Sequence, residues 1–289
     1  MKSKVMNMIW PNGAKTAISL GIDLDGDTIW RNKIKAMPNG ASYIKGPSIG
    51  LFGPKRGALR ILDILDEFDI KTTWFVPALI VQQHAEIVKE ALARGHELAH
   101  HGLDHTGFYG ENFESQKARI EQCQEIFVKY AGVRAYGLRP TGELLPETEE
   151  WLFSGGGFLY HSTGGSGEAC DFYKVNGKKT GGVNIPCRDE QTDDYVQTVY
   201  HNYPAVLVGM PRIAFYDTVY NNWIREVEGA VRFGNSGSTA FHPQISGAPG
   251  RAIILRRFCE YLANHSGVWN ARCIDIARHF ISSEKGGAA

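Results

Sequence analysis

The sequence predicts an α/β protein folded as a distorted (β/α) barrel of about seven parallel strands. Three observations lead there. Short apolar runs of strand length alternate with helix-length amphipathic segments, the pattern of repeated β-α units around a parallel sheet. About seven such units fit into 289 residues, too many for a small open sheet and the right size for one barrel. Polar residues suited to chemistry fall where several apolar runs end, and parallel barrels build their sites at the C-terminal ends of strands. One domain over residues 1–289 is expected, with residues 1–10 and 281–289 as flexible tails.

The elements follow in order. Residues 17–23 read as the first strand and 72–76 as the second. Between them, residues 55–68 carry Leu59, Leu62, Ile64, Leu65 and Phe68 near helical spacing. The helix over 84–94 stops at Gly95, a residue that takes the left-handed cap without a Cβ clash. Next come a strand at 97–101, a helix at 113–130, a strand at 136–139 and a helix at 146–153. Strands at 158–161 and 183–186 precede a helix at 219–233. A strand at 238–242, a helix at 251–264 and a strand-helix pair over 269–280 complete the order. The segments 26–50 and 164–182 are long for simple connections, so lids, binding loops or subunit contacts are expected there.

Composition excludes several classes. The 31 basic residues balance 31 acidic ones, which argues against nucleic acid or an anionic membrane as partner. No apolar run approaches the ~18 residues of a membrane span. Met1–Lys4 is charged, but Asn7 and Trp10 to Gly13 interrupt any following apolar region, so an export signal is not expected. Cys123, Cys170, Cys187, Cys259 and Cys273 are odd in number and scattered with no CxxC pair, which argues against a disulfide framework or thiolate zinc site. Reduced core thiols in a cytoplasmic protein are expected.

The chemistry gathers at strand ends. Asp23, Asp25 and Asp27 follow the first strand, His101 and His105 the third, Arg139 the fourth, and His242 a late one. His101-Gly-Leu-Asp-His105 is an H-x3-H pair, and on a helical turn two such histidines face one metal. One Asp oxygen added to them makes a two-His, one-carboxylate set with open positions, suited to zinc or another divalent ion in hydrolysis. His96-Glu-Leu-Ala-His100 matches H-E-x-x-H, but Gly95 caps the preceding helix and the motif reads as a strand. Two histidines four residues apart along a strand lie ~13 Å apart, too far to share a metal. The motif is therefore read as fortuitous.

Plainer readings stand beside these. The run Asp23 to Asp27 also suits a solvated turn, and it lacks the closing Glu of a calcium loop. His242 before Pro243 also suits a structural turn. Gly164 to Gly167 lacks the Lys-Ser/Thr ending of a phosphate loop. His84, His201, His265 and His279 have no chemical context; His161 ends a strand and can face substrate. Trp74 and Phe75 read as core, whereas Trp30, Trp151 and Tyr160 can line a pocket.

Gly21-Ile-Asp23-Leu-Asp25, Thr73-Trp-Phe-Val-Pro77, Gly95-His-Glu97 with His101-Gly-Leu-Asp-His105, and Phe241-His-Pro243 together resemble the polysaccharide deacetylase (NodB-homology, carbohydrate esterase 4) superfamily. The match looks closest to the branch holding allantoinase-like enzymes, cyclic imide hydrolases and a cytoplasmic-type peptidoglycan deacetylase. It runs from Trp10-Pro-Asn-Gly13 to residues 274–280. The resemblance implies that Asp25, His101 and His105 hold Zn2+ or another divalent metal, that Asp23 is the general base and His242 the general acid. Asp23 and Asp25, two apart on an extended strand, project the same way and can both reach the mouth. Arg139 can orient the base. The third motif reads Arg139-Pro-Thr-Gly-Glu143 here, with Thr141 where the family often has a sugar-contacting aromatic.

The expected activity is hydrolysis of a non-peptide C–N bond in a small amide, imide or ureide. The alternatives are N-deacetylation of acetylamino sugars (chitin or peptidoglycan) and a non-catalytic carbohydrate-binding barrel. The resemblance also implies a homo-oligomer, a dimer or tetramer.

Overall fold

Strand alternation explains how the chain separates two of its buried clusters. In β3 (Thr73–Val76), Trp74 and Val76 join one buried cluster while Phe75 joins another. Likewise in β4 (Glu97–His100), Leu98 packs with the first cluster and Ala99 with the second. Side chains alternate across a strand, so one cluster fills the ring's interior and the other lies beneath the helices. The computed structural model describes residues 8–164, 167–187, 194 and 215–286.

The first strand is broken into β1 (Thr16–Ser19) and β2 (Ile22–Asp23) at Leu20-Gly21. β1 pairs in parallel with β9 (Gly237–Ser238) and β10 (Val268–Asn270), while β2 pairs with β3 and bridges Phe241. From β3 the parallel order runs through β4, β5 (Gly137–Leu138), β6 (Tyr160–His161) and β8 (Lys178–Asn184). The Ser238 N–H donates to the Pro186 carbonyl at 2.8 Å, closing the circle between β8 and β9. Taking β1 and β2 as one broken strand, the ring among the described residues is β1/β2, β3, β4, β5, β6, β8 and β9, seven parallel strands, with β10 an eighth parallel strand paired to β1. Gly21 at the break is obligatory, because a Cβ there would sit 2.2 Å from the Thr239 carbonyl oxygen.

The helices follow sequence signals. Phe113–Ala131 starts where Asn112 Oδ1 accepts the Ser115 N–H at 3.0 Å and stops at Gly132, φ 76°. In the helix Ala58–Glu67, residues Ile61, Leu62, Ile64 and Leu65 are buried, whereas Leu59 faces solvent.

Several expectations need correcting. The segment 26–50 holds the helix Thr28–Lys35, whose Trp30 and Ile34 face inward, and most of the helix Lys45–Phe52. That second helix runs through a π-helical turn, Gly53–Gly57, into Ala58, so the helix expected from residue 55 begins differently. A further helix, Ala78–Gln83, precedes Ala85–Ala93. In the segment 164–182, Gly165 and Ser166 lie outside the described residues, and the rest carries β7 (Asp171–Val175), antiparallel to β8. Its turn is Asn176-Gly177, both at positive φ, the two-residue signal of a tight hairpin. Of the expected tails, Trp10 is buried beside Trp269 and His279, and a helix runs Cys273–Gly286. Residues 1–7 and 287–289 lie outside the described residues.

Candidate active site

Asp23 closes β2, and Asp25 follows two residues on with no exposed surface. Across the ring, His101 leaves the end of β4 and the chain turns back sharply. Gly102 (φ 76°) and His105 (φ 63°) are both left-handed. The two histidines meet through this bent loop and not through the helical turn expected from their spacing. Their ring centroids are 5.0 Å apart at 79°.

His101 Nε2 lies 3.5 Å and His105 Nε2 3.7 Å from Asp25 Oδ1. These three atoms are within 4.8 Å of one another, and Asp25 Oδ1 is buried with no hydrogen-bond partner. An orphaned carboxylate oxygen facing two ring nitrogens is what a divalent cation would satisfy. Burial, the largest influence, pushes the Asp25 carboxyl up to about 6, against the pull of His242 and His101. Burial also lowers His101, and it holds His105 at about 4, so both rings are neutral and able to ligate. His101 Nδ1 is 2.7 Å from the Arg139 carbonyl oxygen; an N–H donated there leaves Nε2 unprotonated.

Two further pairs flank this trio. Arg139 Nη1 donates to Asp23 Oδ1, and Nη2 donates to Ser162 Oγ, Ser238 Oγ and the Thr239 carbonyl at 3.2, 2.8 and 3.1 Å. The guanidinium also lies over the Phe75 ring at 3.8 Å. Burial pushes Asp23 upward, yet Arg139, His101 and His242 together hold its carboxyl below the ordinary value. On the other side, His242 Nδ1 is 2.7 Å from Asp194 Oδ1, and Asp194 Oδ2 accepts from the His242 N–H and the Ser246 hydroxyl. His242 Nε2 then points back to Asp25 Oδ2 at 3.6 Å. The structure thus brings together Asp23, Asp25, His101, His105, Arg139 and His242, leaves Asp27 outside, and adds Asp194. Nothing in the surrounding Asp193-Asp194 marked it, since no spacing ties it to His242.

The residues 52–150 match the family model described as "Polysaccharide deacetylase". The peptidoglycan deacetylase of Helicobacter pylori (strain ATCC 700392 / 26695) is 24% identical over 294 residues, 91% of this chain and 96% of the relative. Among solved structures, a putative polysaccharide deacetylase from Mycobacterium smegmatis superposes with a TM-score of 0.85 at 28% identity. It covers 96% of this chain and 93% of its own. The chain thus carries a polysaccharide deacetylase match over residues 52–150 and shares the fold of such a protein along nearly its whole length. A structure described as Puue allantoinase shares the fold, with a TM-score of 0.79 at 23% identity, over 96% of this chain and 94% of its own.

In this barrel the other polar candidates fall away from the mouth. His96 Nδ1 accepts the Thr72 N–H at 3.1 Å beside Trp74. His100 sits edge-on to Phe127 and Phe158, its Nδ1 taking the Gly102 N–H at 3.0 Å. Glu97 between them accepts from Thr73, Tyr160 and the Ile274 N–H. His161 packs on Tyr173 at 4.8 Å, beneath the hairpin and not toward substrate. Trp30 and Tyr160 are core residues, and Trp151, partly buried, lies under Lys117. Asp27 pairs with Arg31. Of the histidines without context, His265 and His279 contact backbone, and His201 lies outside the described residues. All five cysteines are buried, and among the described residues none forms a disulfide. Among the described residues no helix is long and apolar enough to cross a membrane.

Thr141 turns away to donate to the Thr106 carbonyl at 2.9 Å. Beside it, a Cβ on Gly142 would come 3.1 Å from the ring of Tyr109, which is 72% exposed.

Proposed function

We propose that this protein is a metal-dependent hydrolase of a non-peptide C–N bond, acting on a small amide, cyclic imide or ureide. One observation carries the reading: Asp25 Oδ1, His101 Nε2 and His105 Nε2 converge between a buried Asp23–Arg139 pair and a buried His242–Asp194 pair. When bound there, a zinc or similar divalent ion supplies Lewis acidity, which an amide carbonyl and neutral water both need. Asp23, kept ionised by Arg139, accepts the proton from attacking water. His242 presents Nε2 to the departing nitrogen while Asp194 fixes its ring through Nδ1, and it delivers the proton that lets the C–N bond break. Asp25 is assigned to the metal because it faces both histidines, whereas Asp23 is already engaged by the guanidinium.

Depth favours a small substrate. Asp23, Asp25, His101 and His242 are at most 7% exposed, and only the His105 side chain, at 26%, opens to solvent. The second reading, N-deacetylation of an acetylamino sugar, is supported by the Helicobacter relative and by the exposed Tyr109 ring at the rim, where a pyranose could stack. A cytoplasmic homo-oligomer remains part of the proposal, to be checked by sedimentation and fractionation.

Turnover of succinimide, hydantoin, allantoin and N-acetylglucosamine oligomers, with and without zinc, separates the readings. Zinc-dependent turnover of a small amide is expected. Faster turnover of the oligomers would replace the first reading by the second, and inert metal-loaded protein would leave a binding barrel. His101→Ala should lose the metal while His96→Ala and His100→Ala retain it; the reverse pattern would overturn the site.

A further inference from the structure

The two oxygens of Asp25 face different partners. Oδ1 faces His101 and His105, while Oδ2 is 3.5 Å from Gln244 Nε2 and 3.6 Å from His242 Nε2. Gln244 is 5% exposed, and its amide nitrogen is the neutral donor aimed at this carboxylate. Its position is set by an unusual backbone. The π-helical turn Gly53–Gly57 lies directly on the loop 242–247. A Cβ on Gly53 would meet Gln244 Oε1 at 3.1 Å and Gln244 N at 3.3 Å. One on Gly57 would meet the Pro243 carbonyl oxygen at 2.0 Å, and one on Gly247 the Gly57 Cα at 2.4 Å. Arg60, on the helix that continues the turn, donates to the Gly247 carbonyl. Within the loop, the His242 carbonyl accepts from Ile245 and Ser246 at 2.8 Å, and Ser246 bonds Asp194.

Glycine is disfavoured inside helices, and π turns are rare and cluster at functional sites. Here both permit one thing: helix backbone touching the backbone that follows His242. We propose that the Gly53–Gly57 turn and Gln244 form a positioning clamp, which holds Asp25 Oδ2 so that Oδ1 stays turned to the metal. The clamp rests on the metal-dependent reading above, and it assigns to Gln244 a positioning role, not contact with substrate. It also ties metal geometry to the acid, because the same loop carries both His242 and Gln244.

The test uses the full chain loaded with cobalt(II), whose visible absorption reports ligand geometry. Gln244→Leu removes the donor at similar volume. It should weaken metal affinity about 10–100-fold, as losing a group that orients a ligand does, and alter the cobalt spectrum. Turnover should fall through kcat with KM changed less than about twofold, because no substrate contact is lost. Gly57→Ala should change the cobalt spectrum in the same direction from outside the site. Gly229→Ala is the control: it lies within the helix Tyr216–Phe233, a Cβ there meets nothing within 4 Å, and it should change neither readout. Gln244→Asn, keeping an amide on a shorter arm, should restore part of the affinity lost in Gln244→Leu. Wild-type affinity and spectrum in Gln244→Leu, with the wild type itself binding metal, would overturn the clamp alone. A wild type that takes up no metal would overturn the metal-dependent reading and the clamp with it.

Discussion

Arg139→Met is the perturbation that bears most directly on how the candidate base is held. In the pair with Asp23 both side chains are nearly inaccessible, 8% and 6% exposed, so solvent cannot replace the guanidinium when it goes. Stranding one partner of a buried ion pair costs roughly 3–5 kcal/mol. Against a typical total of ~5–15 kcal/mol, the variant should fold with a much lower urea midpoint. The pH dependence should also change sign. In the wild type the Asp23 carboxyl is held below its ordinary value, so its contribution is present near neutrality and is lost as pH falls through the folded value. With Arg139 gone, burial dominates and raises that value. The variant is then most stable in acid and loses stability as pH rises. The deficit should therefore widen from about pH 4 to 7. Turnover at neutral pH should drop by ~10²–10⁴-fold, as for loss of a general base. Asp23→Asn with Arg139→Met removes the stranded charge, so the double variant should be more stable than Arg139→Met alone while staying inactive. The bonds of Arg139 to Ser162, Ser238 and Thr239 are missing in both variants and cancel from that comparison. A loss under ~1 kcal/mol that is flat with pH, or a double variant less stable than the single, would refute the argument.

Two other outcomes follow from the same structure. Asp194→Asn should leave metal content unchanged and cut turnover by ~10²-fold or more, because both Asp194 oxygens accept and an amide must turn its NH2 either to His242 Nδ1, which displaces the Nδ1–H, or to the donating His242 N–H and Ser246 hydroxyl; retained turnover would place the acid elsewhere. Burial pushes Glu97 up to about 7, so its contribution to stability is full below about pH 4.5 and is lost as pH rises through 7. Glu97→Gln cannot titrate, so relative to wild type it should gain at most about 3 kcal/mol between pH 4.5 and 7.5 in urea unfolding, and a pH-independent difference would show that the three donors around Glu97 outweigh burial.

The strand ends were readable because composition changes abruptly there, from Ile and Val to Asp, His and Arg, and those are the positions that converge. Helices with a clean apolar stripe and a cap, such as Phe113–Ala131, were readable for the same local reason. Thr28–Lys35 was obscured because its buried residues are few, Thr28, Trp30 and Ile34, set among Arg and Lys that point to solvent. The hairpin β7–β8 did carry its own signal in Asn176-Gly177, but the flanking strands hold Lys, Tyr and Gly in place of an apolar alternation. Asp194 had no local signal. Its role depends on a contact 48 residues away, set by how the chain returns to β9, and no spacing rule encodes it. The same holds for Gln244, whose partner Asp25 is 219 residues distant.

Strand register, more than motif, decides which histidine reaches the centre. Between residues 96 and 101 three histidines crowd into six positions, and the H-E-x-x-H match takes two of them. Pairing of Phe75 with Ala99 and of Val76 with His100 fixes β4 in the ring. That register sends Glu97 and Ala99 inward, beside Tyr160 and Phe75, and His96, Leu98 and His100 outward toward Trp74 and Phe127. His101 is the next position on the inner parity, at the point where the strand ends and a side chain can reach across the mouth. A slip of one residue would turn His100 inward, bury His101 against Phe127, and leave Asp25 facing an imidazole carried on a strand that cannot bend back to His105. The glycine after His101, at φ 76°, allows that bend immediately, and His105 accepts the same left-handed conformation to complete it. On the proposed reading, metal-binding capacity is therefore set by where β4 stops. An insertion of one residue between Gly95 and His101 should abolish metal binding even though every ligand and every motif residue is still present.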